Sequence, residues 1–407
     1  MKKLFALLTI ALLCLTTTYS IAQDKGAQKK DSGYVFTTDL AIPISGIRNQ
    51  GSSGTCWAFS TTSFLESEAI KKGTADTSIA LSTWYTVYKN YQEKFVKYVR
   101  LDGTLNFAEG GASMDVVHSY QDYGVVLEKD MPCLRGDEKR INFSEMFSVL
   151  DGYTKGFVAN TKHQISVQDK WMAPFNAILD AYLGKCPEKV TYKGIEYSPK
   201  EFVTKGLKLN MDDYVSITSY THHPFYTQFA VEVPDNWRWD LSYNVPMNEM
   251  MEIIDYALAN GYTIAWGSDV SENGFTREGI AVVPDVVANE KAAGSDQEHW
   301  VGKDPNQKKA AIYNLNKPGK EMTITQEMRQ EGYDNKTTTD DHGLQIYGIA
   351  HDQNGTKYYM VKNSWGKTGK YQGIWYASVP FVQFKTMDFV VNKNGIPKEL
   401  RKKLGIK

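Results

Sequence analysis

The chain has 407 residues, with 46 Lys and Arg set against 47 Asp and Glu, so its formal charge at pH 7 is only −1. A balance this close to neutral gives no general attraction to nucleic acid or to an anionic membrane, and partners have to be argued from sites. Loss of Lys2 and Lys3 with the leader described next takes −1 to −3, which leaves that reading unchanged. The 385 residues after position 22 suffice for two ordinary domains or one enlarged one.

The N-terminus opens Met1-Lys2-Lys3, continues through an apolar run from about Leu4 to Leu15 and reaches Ser20-Ile21-Ala22 before Gln23. This is the pattern of a secretory signal peptide over residues 1–22, and the mature protein is expected to be exported, periplasmic or extracellular. The apolar run stops at Thr16-Thr17-Thr18, short of the roughly 20 residues that a membrane span needs, and nothing later reads as an anchor. Cys14 follows Leu13, where a lipoprotein signal wants a small residue. Cys56, Cys133 and Cys186 remain after processing, an odd number that leaves at least one free thiol, and a Cys133–Cys186 pair stays open. Residues 23–40 are polar and read as a flexible lead-in.

From Cys56 to Ile70, Trp57, Phe59, Phe64, Leu65, Ala69 and Ile70 fall largely at helical spacing, with Lys71-Lys72 in the last turn and Gly73 as a stop. Further helices are expected over 81–99 and 113–123, the second following Glu109-Gly110-Gly111. Residues 151–240 read as a helical insertion that includes an amphipathic stretch from Met172 to Leu183. A helix is expected from Met247 to Asn260, ended by Gly261, and a buried strand from Tyr262 to Gly267. Beyond His342 the pattern changes to strands at 344–350, 357–362, 373–378 and 387–391, rich in β-branched and aromatic residues and separated by turns such as Asp352-Gln353-Asn354-Gly355. The expected architecture is α+β: a helical lobe and an antiparallel β lobe with a cleft between them over residues 41–395, followed by a basic tail at 396–407.

Cys56 opens a helix six residues after Gln50, with Gly51-Ser52-Ser53-Gly54-Thr55 between. A neutral thiol is a poor nucleophile, and both a helix N-terminus and a neighbouring imidazolium favour the thiolate. His342, in Asp341-His342-Gly343, is the candidate partner. It would protonate the leaving amine of a cleaved peptide and later activate water. Asn363, in Asn363-Ser364-Trp365-Gly366, would orient the imidazole, and the Gln50 amide with the Cys56 backbone N–H would stabilise the oxyanion. A cysteine after glycine-rich sequence is on its own as often a small core residue. The occurrence of Gln, Cys-Trp, His-Gly and Asn-Ser-Trp-Gly in one chain, in this order, decides for the nucleophile. The other histidines, His118, His163, His222, His223, His299 and His351, read as surface or core residues.

These motifs resemble the papain superfamily, specifically its bleomycin hydrolase (aminopeptidase C) branch. Papain and cathepsin types read Cys-Gly-Ser-Cys-Trp around the nucleophile. Here Ser53-Gly54-Thr55-Cys56-Trp57 lacks the first cysteine, and with it a family disulfide. The separation of 286 residues between Cys56 and His342 is about twice that of papain-like enzymes, and the branch is similar in carrying large helical insertions there. The resemblance implies that Gly110 and Gly111 offer their backbone to the substrate, with Trp57 and Trp365 supporting the site. It also implies peptide substrates, no metal or organic cofactor, a homo-oligomer (a hexamer in that branch), and a chain end lying in the cleft that limits cleavage to peptide N-termini. The expected function is therefore a secreted thiol peptidase that removes residues from peptide N-termini. The alternatives are an endopeptidase with an open cleft and an inactive papain-fold binding protein. A nucleic-acid role for the basic tail is disfavoured, because a short charge run usually serves solubility.

Overall fold

The structure is a computed structural model that describes residues 33–160, 168–286 and 315–407, together with residues 288, 304, 306, 307 and 313. The signal peptide, His163 and His299 lie outside these residues. The first block holds strand β1 (Phe36–Ala41) and helices α1 (Cys56–Lys71), α2 (Thr83–Arg100), α3 (Ser113–Asp122), α4 (Ser144–Asn160) and α5 (Gln168–Leu183). Then come the hairpin β2 (Val190–Tyr192) and β3 (Ile195–Tyr197), a single-turn α6 (Pro199–Glu201), and strands β4 (Tyr214–Thr218), β5 (Gln228–Ala230) and β6 (Leu241–Asn244). Helix α7 (Met247–Ala259), β7 (Ile264–Ser268), β8 (Ile280–Ala281) and α8 (Gln326–Asp334) follow. The chain ends with β9 (His342–Asp352), β10 (Lys357–Lys362), β11 (Ile374–Ser378), α9 (Val379–Lys385), β12 (Thr386–Asn392) and α10 (Lys398–Leu404).

Ten strands form one sheet in the order β5-β6-β4-β12-β7-β9-β10-β11-β8, with β1 added to β9. The pairs are antiparallel except β4 with β6 and β11 with β8. Helix α1 is the hinge of the architecture. It is buried along nearly its whole length between the helical layer and the sheet, as expected of a helix apolar or small at most positions, with Glu66 and Glu68 the buried exceptions. Its apolar residues Phe64, Leu65 and Ala69 join the helical core with α2, α3 and α5, while α7, β7, β9 and α9 build a second core under the sheet.

Three expectations are corrected. The insertion at 151–240 has long helices only as far as Leu183, with short helical turns between Pro199 and Asp213. Its second half contributes β4 to the middle of the sheet, paired with β12 from Asp388↔Thr218 to Asn392↔Tyr214. The alternating β-branched stretch Tyr214-Val215-Ser216-Ile217-Thr218 is the local reason. The lead-in at 23–40 is not wholly loose, because Phe36–Ala41 pairs with β9 and Phe36 stacks on Tyr376 with ring centroids 3.7 Å apart. Low average apolar content concealed Tyr34, Phe36 and Leu40. The basic tail is a helix rather than a solvated end. Leu400 and Leu404 are buried with Ile396 in the β-lobe core beside α7, and Lys403 pairs with Glu249 at 2.9 Å. Gly405, at φ +68°, supplies the left-handed C-cap.

Candidate active site

Cys56 is the first residue of α1, where backbone N–H groups have no intrahelical acceptor. His342 is the first residue of β9, and Gly343 explains how the two elements come together. A Cβ built on Gly343 would lie 2.7 Å from Ser60 Oγ and 3.1 Å from Cys56 O, so only glycine lets the strand approach the helix start this closely. Cys56 and His342 line one cavity with Trp57, Gly111 and Ala112.

Asn363 Oδ1 accepts a hydrogen bond from His342 Nε2 at 2.8 Å and another from the Ser364 backbone N–H at 2.7 Å. The second bond fixes which end of the amide is the oxygen. An oxygen that can only accept requires the proton on Nε2, which leaves Nδ1 free to take the thiol proton. Trp365 packs over the imidazole with ring centroids 4.8 Å apart, and it also meets the rings of Phe275 and Trp375. Gln50 is buried, accepts from Ser364 Oγ at 2.6 Å and donates one amide N–H to Ser53 O at 2.7 Å. Its second amide N–H remains for an oxyanion. Trp57 donates from Nε1 to Glu109 O at 3.1 Å, and Lys94 Nζ donates to Ala108 O and Gly110 O at 2.8 and 2.7 Å. These contacts hold the Gly110-Gly111 segment along the cleft.

Burial pushes the Cys56 thiol up to about 12, opposed by backbone hydrogen bonds from Gly343 and Trp57 and assisted by the carboxylates of Asp340 and Asp235. Burial likewise pushes the His342 imidazole down to about 4, with the Asn363 hydrogen bond acting the other way. Each group alone is thus held neutral in the closed cleft. Passing the proton from Sγ to Nδ1 creates both charges together, and each offsets the other's desolvation.

A layer of buried polar contacts lies beneath the site. Glu66 of α1 accepts from Arg48, from Ser45 Oγ and from the Leu81 backbone N–H, the last at 2.8 Å. Lys362, immediately before Asn363, donates to Ser45 O at 2.9 Å and to Ser63 Oγ at 2.6 Å. Gln345 of β9 bonds Ser63, Ser67 and Thr263. These contacts fix α1 to the strands that carry His342 and Asn363.

Sequence reasoning missed the segment 231–240. Val231, Val233, Asp235 and Asn236 line the same cavity as the thiol, and the Asp235 carboxylate stands directly against the glycine pair. A Cβ on Gly110 would meet Asp235 Oδ2 at 1.9 Å. Trp237 and Arg238 anchor the segment: Trp237 Nε1 donates to Asp115 Oδ2 at 2.7 Å, and Arg238 pairs with Asp115 at 2.8 Å and Glu93 at 2.5 Å. The signal was Trp237-Arg238-Trp239, two aromatic residues flanking a cation in a stretch otherwise rich in turn residues.

The cavity wall carries Asp235, Asp240, Asp340, Asp341 and Asp388 and, among the described residues, no lysine or arginine. Burial raises Asp341 and Asp388 to about 6, and raises Asp340 well above the ordinary range with help from the charges of Asp235, Asp388 and Asp341. Asp240 Oδ2 is buried without a hydrogen-bond partner. No residue of the C-terminal helix lines this cavity, so the expected blocking of the cleft by the chain end is not what the fold provides.

Cys133 and Cys186 are both free and partly buried against the helical core. His118 pairs with Asp240 at 2.9 Å and His351 with Asp39 at 2.7 Å. Among the described residues no helix is long and apolar enough to cross a membrane.

A thiol at a helix start, an imidazole held by an asparagine oxygen and an amide beside them, set between a helical layer and a sheet, define a papain-like thiol hydrolase. Two family models match in succession, the papain family cysteine protease over residues 37–185 and the Peptidase C1-like family over residues 185–310. The chain belongs to the papain superfamily of cysteine peptidases. Both matches end before His342 and Asn363, whose placement rests on the geometry above.

Among solved structures, the crystal structure of PepW from Lactobacillus rhamnosis HN001 (DR20) superposes with a TM-score of 0.69 at 19% identity, covering 91% of this chain and 84% of that one. That likeness is one of fold. The bromelain protease from Ananas comosus in complex with the E64 inhibitor aligns at 14% identity over 86% of this chain and 93% of that one, with a TM-score of 0.36. A search of curated proteins gave no match.

Proposed function

We propose that this cysteine peptidase removes residues from the free N-termini of peptides. The observation that carries the reading is Asp235, which stands against Gly110 where the family resemblance puts substrate backbone. A peptide chain running past that point would collide with the segment, whereas a peptide ending there would present its α-ammonium to Asp235 and the neighbouring carboxylates. A charge-assisted hydrogen bond of that kind is worth roughly 1.5–3 kcal/mol. The segment 231–240 takes the place that the resemblance gave to the C-terminal tail. Cys56 attacks the first peptide carbonyl, the Gln50 amide and the Cys56 N–H receive the oxyanion, His342 protonates the leaving amine, and water activated by His342 then releases the acyl group. The leader sequence at residues 1–22 is the support for placing this activity outside the cytoplasm.

The pH dependence has a definite sign. The attraction for an α-ammonium requires ionised carboxylates, and Asp341 and Asp388 take up protons as pH falls through about 6. The peptide's amine loses its proton above about 8. KM for a free-amine peptide is therefore expected to rise on both sides of that window. Asp235→Asn should raise KM about tenfold or more for such a peptide. Steady-state kinetics with matched free and N-acetylated peptides tests this. Equal cleavage of the two peptides by the parent enzyme would rule out the reading.

A further inference from the structure

The loop between β4 and β5 places two consecutive histidines on one carboxylate. His222 Nε2 lies 3.1 Å from Glu232 Oε2 and His223 Nε2 lies 3.1 Å from Glu232 Oε1, and all three ligand atoms fall within 4.8 Å of one another. Ligand atoms on a tetrahedral ion with bonds of about 2.0–2.1 Å stand roughly 3.3 Å apart, so little movement separates this hydrogen-bonded triad from a coordinated one. We propose that His222, His223 and Glu232 form a binding site for a divalent transition metal of the zinc class, and that the ion clamps the cleft-lining segment to the body of the protein.

The rings are held in place before any ion arrives. His222 lies parallel to Tyr333, with centroids 5.4 Å apart and planes inclined by 15°, and His223 stacks on Phe229 at 4.2 Å and 22°. The outer nitrogen of His222, Nδ1, accepts from Gln330 Nε2 at 3.1 Å, so Nε2–H points at Glu232; an ion on Nε2 would take that proton's place and shift it to Nδ1, where Gln330 Oε1 stands 3.3 Å away. Tyr333 Oη donates to Glu232 Oε2 at 3.1 Å. Burial works against ionisation of Glu232, yet hydrogen bonds from His223, His222 and Tyr333 hold it down to about 2, so it is an anion wherever the imidazoles are neutral. Two imidazoles and one carboxylate suit Zn, Co, Ni or Cu rather than Mg or Ca. The half-exposed position leaves a fourth place for water.

The regulatory consequence follows from where Glu232 sits. Its neighbours Val231 and Val233 both line the cavity that holds Cys56, while Gln330 and Tyr333 belong to α8 on the far side of the loop. An ion would tie the histidine loop to the segment that Glu232 begins, with Gln330 and Tyr333 of α8 bracing its ligands. None of this depends on N-terminal selectivity.

The test uses the full chain carrying Cys56→Ser, which removes the candidate active-site thiol as a competing ligand. Calorimetric titration with Zn2+ should give one site per chain and a raised Tm. Co2+ should give a d–d spectrum without a thiolate charge-transfer band. His223→Ala and the near-isosteric Glu232→Gln, checked for native circular dichroism, should each weaken Zn2+ binding at least about tenfold and remove the Tm rise. No Zn2+ binding by the parent, or undiminished affinity in both variants, would overturn the site.

Discussion

Replacing Cys56 by alanine should abolish peptide hydrolysis, a loss on the order of 10⁴- to 10⁶-fold in kcat, with the fold intact. In the proposed mechanism the thiol forms the acyl intermediate, and no second thiol lines the cavity among the described residues: its neighbours there are His342, Asn236, carboxylates, serines and apolar groups. His342→Ala should cost nearly as much, and the double variant little more than either alone, because proton donor and acceptor act as one unit. A thiol-directed epoxide should label the parent at Cys56 and leave Cys56→Ala unlabelled. Cys133 and Cys186 give the internal control. Burial raises both thiols as it raises Cys56, but Cys133 faces Glu128 and Arg48 and Cys186 faces Lys89 and Asp180 rather than an imidazole placed to take the proton, so neither should react at neutral pH. Labelling of either one together with retained activity in Cys56→Ala would refute the assignment.

The second large effect is expected on stability. Glu66 is fully buried on α1 and is the acceptor for Arg48, Ser45 and the Leu81 N–H. Among the described residues, Glu66→Ala leaves the Arg48 guanidinium with only Glu128 at 3.2 Å as a carboxylate partner, and removing one side of a buried pair costs about 3–5 kcal/mol. Urea denaturation should show a lowered midpoint with little change in slope. A Glu66→Leu, Arg48→Met double variant should recover part of the loss, since it removes the guanidinium that Glu66→Ala leaves underpaired. A loss below about 1 kcal/mol in Glu66→Ala would mean that the pair does not hold α1 to the segment that carries Gln50.

Much of the fold was legible because the relevant signals are local. The helix expected from Cys56 to Ile70 runs Cys56–Lys71, the strand expected at 357–362 is found there, and Met247 starts its helix and Gly261 follows its end as read. Each carries its own periodicity and stop residue. The pairing of β4 with β12 was not legible, since it joins residues about 170 apart and the strand is five residues long. The tail was misread because charge dominates its composition while Ile396, Leu400 and Leu404, spaced four apart, are what pack. At the site, the glutamine, cysteine, histidine and asparagine stood out because the chemistry demands those residue types in that order. Asp235 did not, because a carboxylate in a turn is ordinary in sequence and its meaning lies in facing Gly110 from 125 residues away.

One digestion addresses the central claim most directly. A peptide of about twenty residues with a free N-terminus is incubated with purified protein, with Cys56→Ala as control, and the products are followed in time by mass. The proposed function predicts a ladder that shortens from the N-terminus, absent with Cys56→Ala and absent when the peptide is N-acetylated. Internal fragments appearing first, or an equal ladder from Cys56→Ala, would contradict it.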